Sequence, residues 1–264
     1  MKKNIPEVSV LMTVFNCEKY IFKSINSIIK QTYKNWELVI INDKSTDSTL
    51  RIIRSFKEKR INLINLKKNV GRTKAINIGL KKCRGKYVAI QDSDDLSLKS
   101  RLKIQVDVLN KDNKLALVFS WYKAIDQFGK IKKIFNDNIS EFEFNYTLPV
   151  KNLICNSSVM YRKSLILKLG GYPKDFIFSQ EYILWLKILV KYKIKLIKVF
   201  LVFYRYHDMQ LSNSKYQQKY IFTENLKILF WSFKNKLINK YNIFLFAKMF
   251  LVNAFRLLKN FFLN

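Results

Sequence analysis

Apolar runs and helically spaced apolar positions alternate through the first ninety or so residues of the chain. Val8 to Val14 is an apolar run with Ser9 and Thr13 inside it, which predicts a first strand ending at Phe15-Asn16. Tyr20, Ile21, Ile25, Ile28 and Ile29 then recur at helical spacing. Trp36 to Ile41 predicts a second strand that closes at Asn42-Asp43. The turn Lys44-Ser45-Thr46-Asp47 carries helix-capping residues and leads into a helix bearing Leu50, Ile53 and Phe56. Ile61 to Leu66 predicts a third, alternating strand. Asn69-Val70-Gly71-Arg72 comes next, and Ala75, Ile76, Gly79 and Leu80 share one face of the helix after it. Tyr87 to Gln91 predicts a fourth strand, whose Val88-Ala89-Ile90 is a short apolar run of the kind a buried parallel strand shows. Further on, Leu102 to Leu109 reads as a helix and Leu115 to Trp121 as a strand, while Asp126 to Thr147 alternates irregularly and reads as a variable excursion, a hairpin.

Strands alternating with helices predict parallel β-α-β units and an α/β fold. Ligands in such sheets bind at the carboxyl ends of the strands. The polar residues gather there: Thr13 and Asn16 after the first strand, Asp43 after the second, Asn69 and Arg72 after the third, and Asp92 to Asp95 after the fourth. Each alone is an ordinary turn residue, but four successive polar strand ends suit a nucleotide. Carboxylates and amides can read base and ribose, Arg72 can meet a phosphate, and a metal can bridge a diphosphate.

The sharpest of these ends is Asp92-Ser93-Asp94-Asp95. Carboxylates packed that closely repel, so one tends to take up a proton unless a cation sits between them. Asp92 and Asp94 straddle one residue on an irregular strand end, and both can turn towards one hard divalent cation, which takes oxygen ligands. The alternative is a solvated acidic turn capping the helix that begins near Leu98.

Composition narrows the picture without naming a partner. A chain of 264 residues, 49% hydrophobic and 15% aromatic, has ample material for a packed core. Cys17, Cys83 and Cys155 lie far apart with no Cys-x-x-Cys pair, which argues against a disulfide framework or a zinc site and suits a reducing cytoplasm. The basic start Met1-Lys2-Lys3-Asn4 makes a poor signal peptide, because Glu7, Ser9 and Thr13 interrupt the apolar stretch behind it. The net charge of +30 raises the prior for a polyanionic partner, yet the lysines are spread through the chain rather than blocked.

With those residues in view, the first 120 or so positions resemble the family 2 glycosyltransferases, nucleotide-diphospho-sugar transferases with the GT-A fold, a Rossmann-like, mostly parallel sheet flanked by helices. The resemblance rests on Val8-Ser9-Val10 with Thr13-Val14-Phe15-Asn16, the Asn42-to-Asp47 turn, Asn69-Val70-Gly71-Arg72 with Ala75, Asn77 and Gly79-Leu80, and Asp92-Ser93-Asp94-Asp95, which looks like the family's Asp-x-Asp motif. It implies that Asp43 contacts the base and that Asp92 and Asp94 hold ribose and a metal, Mn2+ or Mg2+, bound to the diphosphate. Thr13, Phe15, Asn16, Asn69, Arg72, Ser93 and Asp95 complete the implied nucleotide-sugar pocket. Where the family commonly has two acids before the turn, this chain has Asn42 and then Asp43.

The resemblance continues through Leu153 to Arg162 as a strand, Ser164 to Leu169 as a helix and Gly170-Gly171-Tyr172 as a turn. Family members commonly show Glu-Asp-Tyr-Asp-Leu-Trp next, and its second acid is the general base. Register on Tyr182, Leu184 and Trp185 puts Glu181 at that position, with Gln180 and Ile183 replacing two usual acids. A glutamate is chemically competent there, since a base needs only a carboxylate within hydrogen-bond reach of the acceptor hydroxyl. The sole histidine, His207 in Tyr204-Arg205-Tyr206-His207, matches a family segment whose histidine lies near the diphosphate or metal. The implied activity is an inverting, metal-dependent transfer of a sugar from a UDP-type donor to a hydroxyl acceptor in a cell-surface glycan or glycolipid.

Residues 1–214 are expected to form the catalytic domain and residues 215–264 a basic, amphipathic helical tail. The tail carries nine basic residues and one acid, Glu224, with aromatics and leucines between them. Its most apolar window, Ile243 to Val252, is broken by Lys248, short of the roughly 20 apolar residues that span a bilayer. A basic, aromatic helix suits an anionic lipid surface; packing onto the catalytic domain or a partner is the alternative, and nucleic acid is not expected, as no motif for it accompanies the charge. The expected location is cytoplasmic, and peripheral on the inner face of the cell membrane if the tail engages lipid. Two rivals stand: a catalytically degenerate or polyanion-binding protein, and a nucleotidyltransferase, which would carry a Gly-rich basic loop where this chain has Phe15-Asn16-Cys17.

Overall fold

A computed structural model describes residues 5–207 and 215–262. The chain runs β1 (Val8–Val14), α1 (Ile21–Ile29), β2 (Trp36–Asn42), α2 (Thr49–Ser55), β3 (Ile61–Asn65), α3 (Arg72–Lys82) and β4 (Tyr87–Ile90). After the acidic cluster come β5 (Leu96–Ser97), α4 (Arg101–Lys111), β6 (Leu115–Ile125), β7 (Ile131–Phe135), α5 (Glu141–Thr147), a 3-10 turn over Asn156–Ser158, β8 (Met160–Arg162) and α6 (Lys163–Lys168). The last elements are α7 (Gln180–Lys191), β9 (Lys193–Arg205), α8 (Lys215–Lys234) and α9 (Ile243–Phe262).

All the described strands join one sheet in the order β3-β2-β1-β4-β8-β6-β9-β5, with β7 hanging on β6. β3, β2, β1 and β4 are mutually parallel. The strand order reverses at β1, which opens a crevice between the carboxyl ends of β1 and β4, the usual ligand position in such a sheet. β8 then runs antiparallel between β4 and β6, and β9 returns parallel to β6.

The near-continuous apolar strands follow from a sheet buried on both faces. Alternate residues serve opposite layers: Val10, Met12, Leu38, Ile40 and Ala89 pack with Ile21, Ile25 and Ile28 of α1 and Leu102 and Val106 of α4. Leu11, Val39, Ile41, Val88 and Ile90 pack with Ala75, Ile76 and Leu80 of α3 and Trp185 of α7. Gly79 lets α3 lie tight on the sheet, where a Cβ would stand 2.3 Å from Leu11 Cδ1. Ser9, polar within a core strand, donates to Glu37 Oε1 at 2.7 Å and accepts the Gly85 N–H at 2.8 Å.

The expected strand over Leu153 to Arg162 is shorter than predicted. Cys155 to Ser158 turn instead, with the Ser158 N–H donating to the Cys155 carbonyl, and only Met160–Arg162 pair in the sheet. The Asp126 to Thr147 excursion is a hairpin, β6 to β7 about a turn closed by Asp126 N–H on the Lys130 carbonyl, followed by α5. The helices after residue 214 lie against the domain: Ile228 and Leu229 of α8 are fully or almost fully buried, and Ile228 packs in the same core layer as Trp185.

Candidate active site

The loops that follow β1 and β2 are tied together before they can hold a ligand. Asn16 and Lys44 take positive φ, 48° and 63°, which turns both loops sharply off their strands. Asn16 Oδ1 accepts the Thr46 N–H at 2.8 Å, and the Asn16 N–H donates to Ser45 Oγ at 3.0 Å. Asn42, fully buried, accepts Ser45 Oγ–H at 2.6 Å through Oδ1 and donates from Nδ2 to Asn65 Oδ1 at 2.6 Å. Thr13 is half-buried at the end of β1, and Phe15 is half-exposed beside it.

Asp43 is 4% exposed and spends both oxygens on backbone: Oδ1 accepts the Val70 N–H at 2.7 Å and Oδ2 the Gly71 N–H at 2.9 Å. Asn69 Oδ1 accepts the Gly71 N–H as well, at 3.1 Å. Gly71 sits at φ +82°, a region that favours glycine, and this conformation starts α3. The first residue of that helix is Arg72, so the Asp43 clamp fixes where the guanidinium begins.

Arg72 joins two carboxylates. Its Nη2 lies 3.0 Å from Asp92 Oδ1 and 2.8 Å from Glu181 Oε1. Asp92 follows the end of β4 and Glu181 lies in the first turn of α7, so one guanidinium ties the acidic loop to α7. Asn156 Nδ2 donates to both Asp92 oxygens at 3.1 and 3.2 Å, and Ser157 Oγ accepts the Asp92 N–H at 3.0 Å. This is what the 3-10 turn before β8 accomplishes, and it is the part of the site that sequence reasoning did not assign. The signal was present as Asn-Ser-Ser interrupting an apolar run.

Burial raises the pKa of Glu181, and the Arg72 charge works in the opposite direction. Burial opposes the charge on Arg72, but the Glu181, Asp92 and Asp94 carboxylates outweigh it and raise the guanidinium further. The repulsion within the acidic cluster falls on Asp95, whose pKa is raised well above the ordinary range by burial and then by Asp94 and Asp92. Asp95 is fully buried, and its Oδ1 accepts the Arg205 N–H at 2.7 Å. Asp94 faces another way, with Oδ2 2.9 Å from His207 Nε2. The His207 ring lies 4.7 Å, centre to centre, from that of Tyr20. Arg205 is structural: Nε donates to the Asp94 carbonyl at 2.9 Å and Nη1 to the Asp126 carbonyl at 2.9 Å. Arg101, fully buried with its pKa lowered by burial to about 10, donates to the Ile90 and Val159 carbonyls and fastens β4 to the turn before β8.

The structure thus brings Asp43, Asn69, Arg72, Asp92 and Glu181 into one connected chain of contacts, with Asp94 and His207 as a second pair on the same acidic loop. Ser93 lies between them, partly exposed. Among the described residues no three His, Cys, Asp or Glu side chains converge on one cation position. The Asp94 carboxylate is the kind of ligand Mn2+ or Mg2+ takes, because these ions prefer oxygen, accept few protein ligands and fill the rest of their shell with water and substrate phosphate. Asp92, expected to share the ion, is instead engaged by Arg72 and Asn156.

Solved structures place this fold in a class. TarS of S. aureus in complex with UDP superposes with a TM-score of 0.63 at 22% identity, over 83% of this chain and 65% of that one. A mannosyltransferase of Pyrobaculum calidifontis in complex with GDP-Man and Mn2+ gives a TM-score of 0.68 at 18% identity, over 97% of this chain and 73% of that one. The fold is that of the GT-A glycosyltransferases. Residues 9–170 match the family described as Glycosyl transferase family 2. An uncharacterized glycosyltransferase of Methanocaldococcus jannaschii is 36% identical over 223 residues, 81% of this chain and 77% of that protein. The chain belongs to glycosyltransferase family 2 and is a transferase enzyme. The UDP-Glc:alpha-D-GlcNAc-diphosphoundecaprenol beta-1,3-glucosyltransferase WfgD of Escherichia coli is 29% identical over 213 residues, 80% of this chain and 81% of that protein.

Proposed function

We propose that this enzyme transfers a sugar, with inversion, from a UDP-sugar to a hydroxyl of a glycan or lipid-linked acceptor, and that Glu181 is its general base. The observation that carries the reading is the shared Arg72 nitrogen, which sets the Glu181 carboxylate next to the Asp92 end of the donor crevice. Glu181 takes the proton of the acceptor hydroxyl, the acceptor oxygen bonds to the anomeric carbon, and the bond from that carbon to the diphosphate oxygen breaks. The nucleoside diphosphate leaves with the electron pair. Inversion follows from attack on the face opposite the leaving group, through an oxocarbenium-like transition state. Asp94 and His207 would hold Mn2+ or Mg2+, which when bound supplies Lewis-acid stabilisation of the diphosphate. Asp43, Asn69, Thr13, Asn16 and Phe15 border the nucleoside end, and Ser93 and Asp95 support the acidic loop. UDP as the nucleotide, and a lipid-linked acceptor, are supported by the name of the E. coli relative.

Residues 1–214 form the glycosyltransferase core, and residues 215–264, whose α8 packs on that core, also act at a membrane surface on the cytoplasmic side. No helix among the described residues is long and apolar enough to cross a membrane. α9 instead presents Phe244, Leu251, Phe255 and Leu258 at 55–87% exposure and roughly helical spacing, with Lys248 among them. An exposed apolar stripe with basic neighbours suits an interfacial helix.

Two variants test the assignment of roles. Glu181→Gln and Asp94→Ala should each abolish transfer, measured as release of nucleoside diphosphate dependent on acceptor. Only Asp94→Ala should also weaken metal-dependent donor binding. Normal turnover by Glu181→Gln would rule out Glu181 as the base. A catalytically degenerate relative is the second reading, favoured by Gln180 at a usual acid position: it is fully buried, and neither amide atom has a hydrogen-bond partner among the described residues.

A further inference from the structure

A cavity of about 320 Å³ lies where the start of α7 meets the two tail helices. Glu181 and Ser179 line it from one side, Asn152 from the segment after α5, and Asn225 of α8 with Met249 and Asn253 of α9 from the other. We propose that this cavity is the acceptor subsite and that it receives one sugar ring of the acceptor. The tail helices are then part of the catalytic unit. The proposal rests on the reading of Glu181 as the base.

Size, chemistry and position agree. The volume is at the low end of the roughly 300–1,000 Å³ typical of ligand sites, room for one ring rather than a chain. The polar lining includes three side-chain amides, Asn152, Asn225 and Asn253, which both donate and accept, as sugar hydroxyls do. Two of them are held in place: Asn225 Nδ2 donates to Asn253 Oδ1 at 3.4 Å, and Asn253 Nδ2 donates to the Met249 carbonyl at 2.7 Å. Ile221, Leu229 and Met249 add an apolar side for the C–H face of a ring. Glu181 is the one acidic residue lining the cavity, and its Oε1 is paired with the Arg72 nitrogen that also holds Asp92.

The tail also holds this wall against the base. Glu224 of α8, 6% exposed, accepts the N–H groups of Ile177, Phe178 and Ser179 at 2.6, 3.1 and 2.7 Å. Those residues lead directly into α7, so α8 positions the turn from which Glu181 projects.

The test uses the full chain with UDP and Mn2+ present and reads binding of octyl glucoside, galactoside, mannoside and N-acetylglucosaminide by saturation-transfer NMR and calorimetry. At least one glycoside should bind the wild type. Asn225→Leu, which removes an amide, and Met249→Trp, which fills the cavity, should each weaken that glycoside about tenfold or more, the scale of one lost hydrogen bond. Both variants should keep the thermal shift given by UDP with Mn2+, which shows them folded. Glu181→Gln should bind the same glycoside within about threefold of wild type, a difference of well under 1 kcal/mol, yet not transfer to it. No glycoside binding to the wild type, or unchanged affinity in both cavity variants, would overturn the proposal. Normal transfer by Glu181→Gln with lost binding in the cavity variants would overturn the base assignment and with it the acceptor role, leaving the cavity a glycoside-binding site only.

Discussion

Burial and Arg72 act on Glu181 in opposite directions. Burial pushes Glu181 up, and the Arg72 charge holds that rise in check. A general base works only when ionised, so kcat should fall as pH drops through the Glu181 pKa, which burial raises from its ordinary value. Replacing Arg72 by Gln removes the charge that favours the ionised form. The acid limb of the kcat–pH profile should therefore move to higher pH, and an unmoved limb would assign the limb to another group. At this scale part of the site was legible in the sequence: Asp43, Arg72, Asp92 and Asp94 come from strand ends or helix starts that periodicity locates, whereas Glu181 and His207 were reached only through the family resemblance. The pairings among them were not legible. Nothing in the spacing shows that Asn156 and Ser157 reach back 64 and 65 residues to hold Asp92, or that Asp43 spends both oxygens on the backbone at Gly71 and Val70.

Elements were legible where one physical cause dominated. β1, β2 and β4 are buried on both faces, so their apolar runs stand out, and the turns around them carry glycine and capping residues. The second half of the sheet gives weaker signals. β8 pairs through three residues only, and β9 mixes lysines with apolar positions because part of its length lies at the surface. α8 is the least readable element. Its anchoring depends on Glu224, the one acid of a basic segment, which accepts three backbone N–H groups across the fold. Glu224→Ala leaves those donors without their partner, and hydrogen bonds to a charged group are worth about 1.5–3 kcal/mol each. The urea midpoint should fall by at least the equivalent of one such bond with the slope unchanged. A midpoint within error of wild type would mean that α8 is held by its apolar contacts alone.

The whole molecule carries a net charge of +30, and its sequence spreads that charge too evenly to mark a surface. The fold gives the charge a setting by turning Ile228 and Leu229 inward while Phe230, Phe233 and the α9 stripe stay outside. The protein should float with vesicles containing anionic lipid, flotation should weaken as salt rises, and replacing Phe244, Leu251 and Phe255 together by Ser should reduce it. Equal binding to neutral and anionic vesicles would contradict the electrostatic part. The donor crevice proposed at Asp43, Arg72 and Asp92, with the metal position proposed at Asp94 and His207, is tested most directly by thermal stabilisation of the purified protein. The panel is UDP, GDP, ADP and CDP, each with and without Mn2+ or Mg2+. A nucleotide at about 100 times its dissociation constant adds roughly 2.7 kcal/mol of stability, an easily read shift. The expected result is a metal-dependent shift that is largest with UDP and is lost in Asp94→Ala. No shift with any nucleotide, or one indifferent to both the metal and Asp94, would contradict it.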